Sequence, residues 1–288
     1  MPCVMQTKKR RLMCENEALD QTASKPAKLE EPTQKIEWLK SNTLEDDADK
    51  VRRYMEETAL YRQQWIKAEG QEGSVNVILQ EFPHMLEPGM IEQDFKVLYP
   101  DLEGNLYTKW PDLAEKLINY VQIVIPSWQT QLLPDDLADH DNLDKLAAEQ
   151  RKKLAVFTLP HLFTGRRKGK SGKISASESS AAFVDFQCES TSLNQYLSDI
   201  DPESNSQPYI LILGGTLLQP QQLFVIVERR ALPQSSLLKA LDVCFKAYFI
   251  LDLEYQDKCV GVWEFIAAVV FEIHKGKLKR NKIRDFRA

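Results

Sequence analysis

Cysteine is scarce and poorly spaced for building a framework. The five residues, Cys3, Cys14, Cys188, Cys244 and Cys259, include no CxxC pair, which argues against a zinc ribbon or a disulfide-stapled fold. Histidine is scarcer still. His84, His140, His161 and His274 show neither HxH nor HxxxH spacing, so no metal-ligating residues are assigned. The chain lacks a run of roughly 18 apolar residues, which leaves nothing to span a membrane. Its first residues, MPCVMQTKKRRLMCENE, lack the apolar stretch of a secretory signal. These absences lead to the expectation of a soluble protein in a reducing compartment, nucleus or cytoplasm.

Glycine is also sparse, and it falls in no cofactor-binding pattern. A phosphate-binding loop needs GxxxxGK[ST] between a buried strand and a helix. In GRRKGKS, Gly165 and Gly169 stand one residue too close together for that motif. Gly214-Gly215 follows an apolar run but contains no GxGxxG, and a second apolar run follows soon after. A hairpin or an irregular turn is therefore expected there, because glycine supplies the positive φ that tight turns need. No catalytic, cofactor-binding or metal-binding residues follow from these patterns. Asp185, Glu189, Asp199, Asp201 and Glu228 are the acids to inspect for acid-base or two-metal chemistry. Asp185 is expected to face solvent at a strand end. Cys188 is the cysteine expected to be exposed, and Cys244 and Cys259 fall on apolar helix faces.

Charge is plentiful and unevenly spread. The net charge is -5, yet the segment from Lys275 to the end holds seven basic residues against Asp285 alone. Arg166, Arg167, Lys168, Lys170 and Lys173 form a second basic run with no acid among them. Together with Lys277, Lys279, Arg280, Lys282 and Arg284 they are candidate phosphate contacts, able to neutralise a polyanion without reading its sequence. Lys8, Lys9, Arg10 and Arg11 form a cluster of the nuclear-import type.

Apolar patterning indicates a mostly helical α+β chain. Residues 1–33 read as a disordered tail and 34–165 as a helical unit. Residues 166–181 read as a basic flexible linker, 182–274 as a small C-terminal α/β module, and 275–288 as a basic tail. Within the helical unit, a long helix is expected from Thr43, with Asp46 completing a capping box. Its apolar stripe runs through Leu44, Val51, Thr58 and Trp65, with Met55 and Tyr61 or Arg62 between them. Pro83, Pro88, Pro100, Pro111 and Pro126 are expected to divide the next stretch into short helices, the best of them Pro111–Val124. Another helix is expected over Leu143–Phe157, and His84 after Pro83 and His161 after Pro160 are expected at helix boundaries.

In the C-terminal module, strands are expected at Ala182–Phe186, Tyr209–Leu213, Leu223–Val227 and Ile250–Tyr255. Helices are expected at Leu193–Ile200, Ser235–Phe249 and Val260–His274. The last of these carries a stripe of Cys259, Trp263, Ile266, Val270 and Ile273.

The segments FPHMLEPGMIEQDF (82–95), KWPDL (109–113) and the run from PYILILGG to FIAAVVFEI resemble a group of uncharacterised vertebrate proteins, mostly from fish. That group is described as similar to sterile alpha motif domain-containing protein 3. The resemblance covers roughly residues 75–273. The chain departs from the group in having no clear sterile alpha motif. The resemblance implies a non-enzymatic protein of mobile-element origin and carries over no catalytic residues. The combined expectation is a non-catalytic interaction or regulatory protein with unidentified protein partners, no cofactor and no membrane contact. The alternative is a nucleic-acid-associated protein acting through its basic segments.

Overall fold

The computed structural model describes residues 30–68, 75–125, 146–164, 174–201, 207–273 and 286. The fold is α+β and mostly helical, with one four-stranded sheet among the described residues. Two compact units are present. One comprises residues 1–100 with Lys246–Glu254, and the other Asp101–Phe245 with Tyr255–Ala288.

In the first unit, α1 (Glu30–Ser41) starts inside the segment expected to be disordered. Pro32 lies in its first turn, where the missing N–H costs nothing. Helix α2 (Leu44–Ala68) is interrupted at Asp47, whose φ of -160° and ψ of 85° are not helical. Thr43 and Asp46 do pair, with the Asp46 carboxylate accepting from the Thr43 N–H at 2.7 Å and from its hydroxyl at 2.9 Å. The long part of α2 is capped by Asp47 instead, which accepts from the Lys50 N–H at 3.0 Å. Val51, Met55, Thr58, Ala59, Arg62, Gln63 and Ile66 form its buried face, and α2 packs on α1 and on α4 (Met90–Leu98). Between α2 and α4, α3 (Val75–Glu81) leads into a 3-10 turn, Pro83–Leu86.

In the second unit, α5 (Asn105–Val124) runs straight through Pro111 rather than starting there. Leu106, Trp110, Leu113, Ala114, Leu117, Ile118 and Val121 keep one face buried across the proline. That burial exceeds the roughly 3 kcal/mol an interior proline costs. Helix α6 (Ala148–Leu162) starts later than expected and likewise contains a proline, Pro160, so His161 lies inside it. The Trp110 indole donates to Lys152 O at 3.1 Å, joining α5 to α6.

Part of the expected linker is helix α7 (Ala176–Phe183). Ser175 Oγ accepts from the Glu178 N–H at 3.1 Å, and Glu178 Oε2 accepts from the Ser175 N–H at 2.9 Å. This reciprocal cap gives a small, polar sequence a definite helix start.

The sheet runs β1 (Val184–Gln187), β2 (Tyr209–Gly215), β3 (Pro220–Val227), β4 (Arg230–Pro233) in that spatial order. β1 is parallel to β2, and the other pairs are antiparallel. The β1–β2 crossover contains α8 (Leu193–Asp199). Leu193, Tyr196 and Leu197 of α8 cover Tyr209, Leu211, Leu213, Phe224 and Ile226 on one sheet face. On the other face Ile210, Ile212, Val225 and Val227 are equally buried. β2 is buried on both faces, which explains its unbroken apolar run.

Helix α9 (Leu237–Ile250) continues to a turn at Leu251-Asp252, so the strand expected at Ile250–Tyr255 is absent. Helix α10 (Val260–Val269) stops short of His274. Ile273 N–H bonds back to Ala267 O at 2.8 Å, and Glu272 takes the left-handed φ of 56°. Of the expected stripe, Cys259, Trp263, Ile266 and Val270 are fully buried, whereas Ile273, beyond the end of the helix, is only half-buried. Among the described residues no helix is long and apolar enough to cross a membrane.

Candidate functional site

The capped α7 delivers the chain to β1, whose only strand neighbour among the described residues is β2. Side chains alternate along β1. Asp185 and Gln187 share the face of their partners Leu211 and Leu213, and Phe186 shares that of Ile212. Phe186, at the sheet margin, is 43% exposed.

Asp185 does not face solvent freely. Its Oδ2 accepts from the Tyr196 hydroxyl at 2.7 Å and its Oδ1 from Gln187 Nε2 at 2.8 Å. The Tyr196 and Tyr209 hydroxyls lie 2.9 Å apart. With the Tyr196 proton on Asp185, the Tyr209 hydroxyl donates to Tyr196, giving a chain from Tyr209 through Tyr196 to Asp185. Burial, then the bonds to Asp185 and Tyr209, push the Tyr196 pKa far above that of an ordinary phenol. Both oxygens of Asp185 are engaged and its phenol partner stays protonated. The cluster fixes α8 against β1 and β2, and its geometry is that of a brace rather than of a general base.

Beyond β1, the chain turns through exposed Cys188, Glu189 and Ser190. Cys188 Sγ lies 3.1 Å from Ser190 Oγ and 3.3 Å from Thr191 Oγ1. Those hydroxyls, Ser190 first, hold its thiol below the usual pKa. Burial drives Cys244 far above the usual value and pushes Cys259 up to about 12, so both remain neutral thiols.

The other acids singled out in the sequence are dispersed. Glu189 lies in the exposed turn after β1, Asp201 follows α8, and Glu228 sits in the β3–β4 turn. Asp199 accepts from Gln195 Nε2 at 2.8 Å. Among the described residues no three or more His, Cys, Asp and Glu side chains group as a metal site would require. His161 Nε2 is 3.4 Å from Ser180 Oγ, and burial lowers its pKa. His84 is buried, with Nε2 at 3.0 Å from Leu39 O and 2.9 Å from Asn42 O. That nitrogen must carry the proton, and the ring ties the 3-10 turn to the end of α1.

Gly214 and Gly215, with φ of 68° and 75°, end β2. The hairpin closes through Thr216 and Gln219, whose N–H groups bond each other's carbonyls at 3.1 and 3.2 Å. Lys8 to Arg11, the run Arg166, Arg167, Lys168, Lys170 and Lys173, and Lys277, Lys279, Arg280, Lys282 and Arg284 all lie outside the described residues.

Two features of the fold were not anticipated from the sequence. Arg62 Nη2 binds both oxygens of Asp94, and Arg62 Nη1 donates to Thr58 Oγ1. Burial, the larger influence, raises the Asp94 pKa against the pull of Arg62. The stripe spacing Val51, Met55, Thr58, Arg62 was the available signal that this arginine points inward. The segments 82–95 and 109–113 also carry structural anchors: Phe82, His84, Met85, Asp94, Phe95 and Trp110 are all buried. No family model, curated protein or solved structure matches this chain.

Proposed function

We propose that the chain is a non-catalytic protein-interaction or regulatory protein, acting in the nucleus or cytoplasm, that docks an extended segment of a partner protein along the edge of β1. The observation that carries this reading is the edge itself. β1 has a strand on one side only among the described residues, and it presents Phe186 beside the exposed Cys188–Ser190 turn. An extended segment adding to such an edge gains main-chain hydrogen bonds, and exposed side chains supply selectivity. The brace of Asp185, Gln187 and Tyr196 keeps the strand in place. The resemblance of residues 75–273 to the proteins similar to sterile alpha motif domain-containing protein 3 supports a non-enzymatic role and a mobile-element origin.

The test is quantitative affinity capture from cells with the wild type and with Phe186→Glu, after circular dichroism has established that both are folded. Partners retained by the wild type and lost by the variant support the reading. An identical partner set for both contradicts it.

The charge distribution supports a second reading, non-specific nucleic-acid association through the basic runs at 166–173 and 275–287. Binding of this kind falls steeply with salt. A titration of duplex DNA and single-stranded RNA at rising salt decides it. No binding at low salt, or salt-independent binding, removes it.

A further inference from the structure

Beyond Ile273, Phe286 is the one described residue, and its side chain is only 5% exposed. Its ring meets three aromatic side chains edge-on. Tyr120 lies at 5.1 Å and 76°, Phe265 at 5.4 Å and 89°, and Phe163 at 6.1 Å and 73°. These walls come from α5, α10 and the residue that closes α6. Edge-to-face approach sets the positive ring edge of one partner against the negative face of the other.

The receiving surface is built without Phe286. Phe163 and Phe265 stack on each other, with centroids 4.0 Å apart and planes 16° from parallel. Gly261 holds that stack in place. A Cβ there would stand 2.5 Å from Thr164 O and 2.8 Å from Phe163 O, so the end of α6 rests directly on the α10 backbone. The sequence around the inserted ring is polar, Arg284-Asp285-Phe286-Arg287. One aromatic ring on a charged segment, filling an aromatic recess, follows the pattern of an anchored peptide, where a single buried aromatic carries most of the affinity.

We infer that Tyr120, Phe163 and Phe265 form a docking socket for a phenylalanine-bearing basic peptide segment, filled in this chain by its own Phe286. Seating in cis competes with any external segment, because a tethered ligand has a high effective concentration. The site is distinct from the β1 edge, so the failure of either proposal leaves the other standing.

The probe is a fluorescent peptide of residues 279–288, KRNKIRDFRA, added to the full chain carrying Phe286→Ala. Binding by anisotropy is expected to be about tenfold or more tighter to the variant than to the wild type. The same peptide with alanine for phenylalanine is expected to bind the variant about tenfold or more weaker. The inference is overturned if the peptide binds variant and wild type alike, or if the alanine peptide binds equally well. Should Phe286→Ala fail to fold, the wild type serves. The peptide should then bind it about tenfold or more tighter than the alanine peptide does, by displacing Phe286, and equal binding of the two would overturn the inference.

Discussion

Arg62 and Asp94 form a buried ion pair, in which one guanidinium nitrogen serves both carboxylate oxygens. Removing either partner leaves an uncompensated charge in the core, which costs about 3–5 kcal/mol. Arg62→Met and Asp94→Leu should each destabilise the first unit by about that much in urea denaturation. The double variant Arg62→Met with Asp94→Leu should recover most of the loss, giving a strongly non-additive cycle. Additive losses would mean that the two side chains contribute independently.

The β3–β4 turn places Glu228 and Arg229 at φ of 43° and 64°. Two consecutive left-handed residues are the signature of a type I′ turn, which favours Asn and Gly. Glu228→Asn keeps the 2.7 Å bond from Arg229 Nη2 to Ile200 O, and should stabilise the second unit by about 0.5–1 kcal/mol. A lower urea midpoint than the wild type would refute the strain assigned to this turn.

Gly215→Ala would place a Cβ 2.3 Å from Gln219 O, at a φ of 75°. The nearest obstacle at Gly214 is the end of the flexible Gln221 side chain, with the Glu189 Cα next at 3.2 Å. Gly215→Ala should therefore cost about 2 kcal/mol or more, and Gly214→Ala closer to about 1 kcal/mol. Thermal unfolding of the two variants checks the order, and a reversed order would show that the hairpin backbone relaxes.

His161 is held neutral by burial, its pKa below the ordinary 6.5. The folded chain therefore binds fewer protons there than the unfolded chain does, and stability falls as pH drops through about 6.5 towards the folded value. His161→Gln should remove that part of the slope. Urea midpoints of both proteins at pH 7.5 and 5.5 are the check. An equal fall in the two would place the sensitivity elsewhere.

Much of the C-terminal module was legible because its signals are local. Two unbroken apolar runs became β2 and β3, and four of the five stripe residues, Cys259 to Val270, are buried as their spacing requires. What failed depended on tertiary context. Pro111 and Pro160 sit inside helices because the buried face continues across them. Ile250–Tyr255 has strand composition, yet α9 claims its first residue and a turn follows. For the β1 edge, Asp185 was visible as an acid near a strand, but its engagement depends on Tyr196 and Tyr209 arriving from other elements. Periodicity carries no record of such meetings, and a lone phenylalanine in a basic segment likewise gives no sign of the aromatic recess it fills.

The central claim, that β1 receives a partner segment, is tested most directly by amide hydrogen exchange on the full chain with and without a captured partner. The account predicts added protection concentrated at Val184–Gln187, lost in Phe186→Glu. Protection that leaves these amides unchanged and appears elsewhere would contradict it.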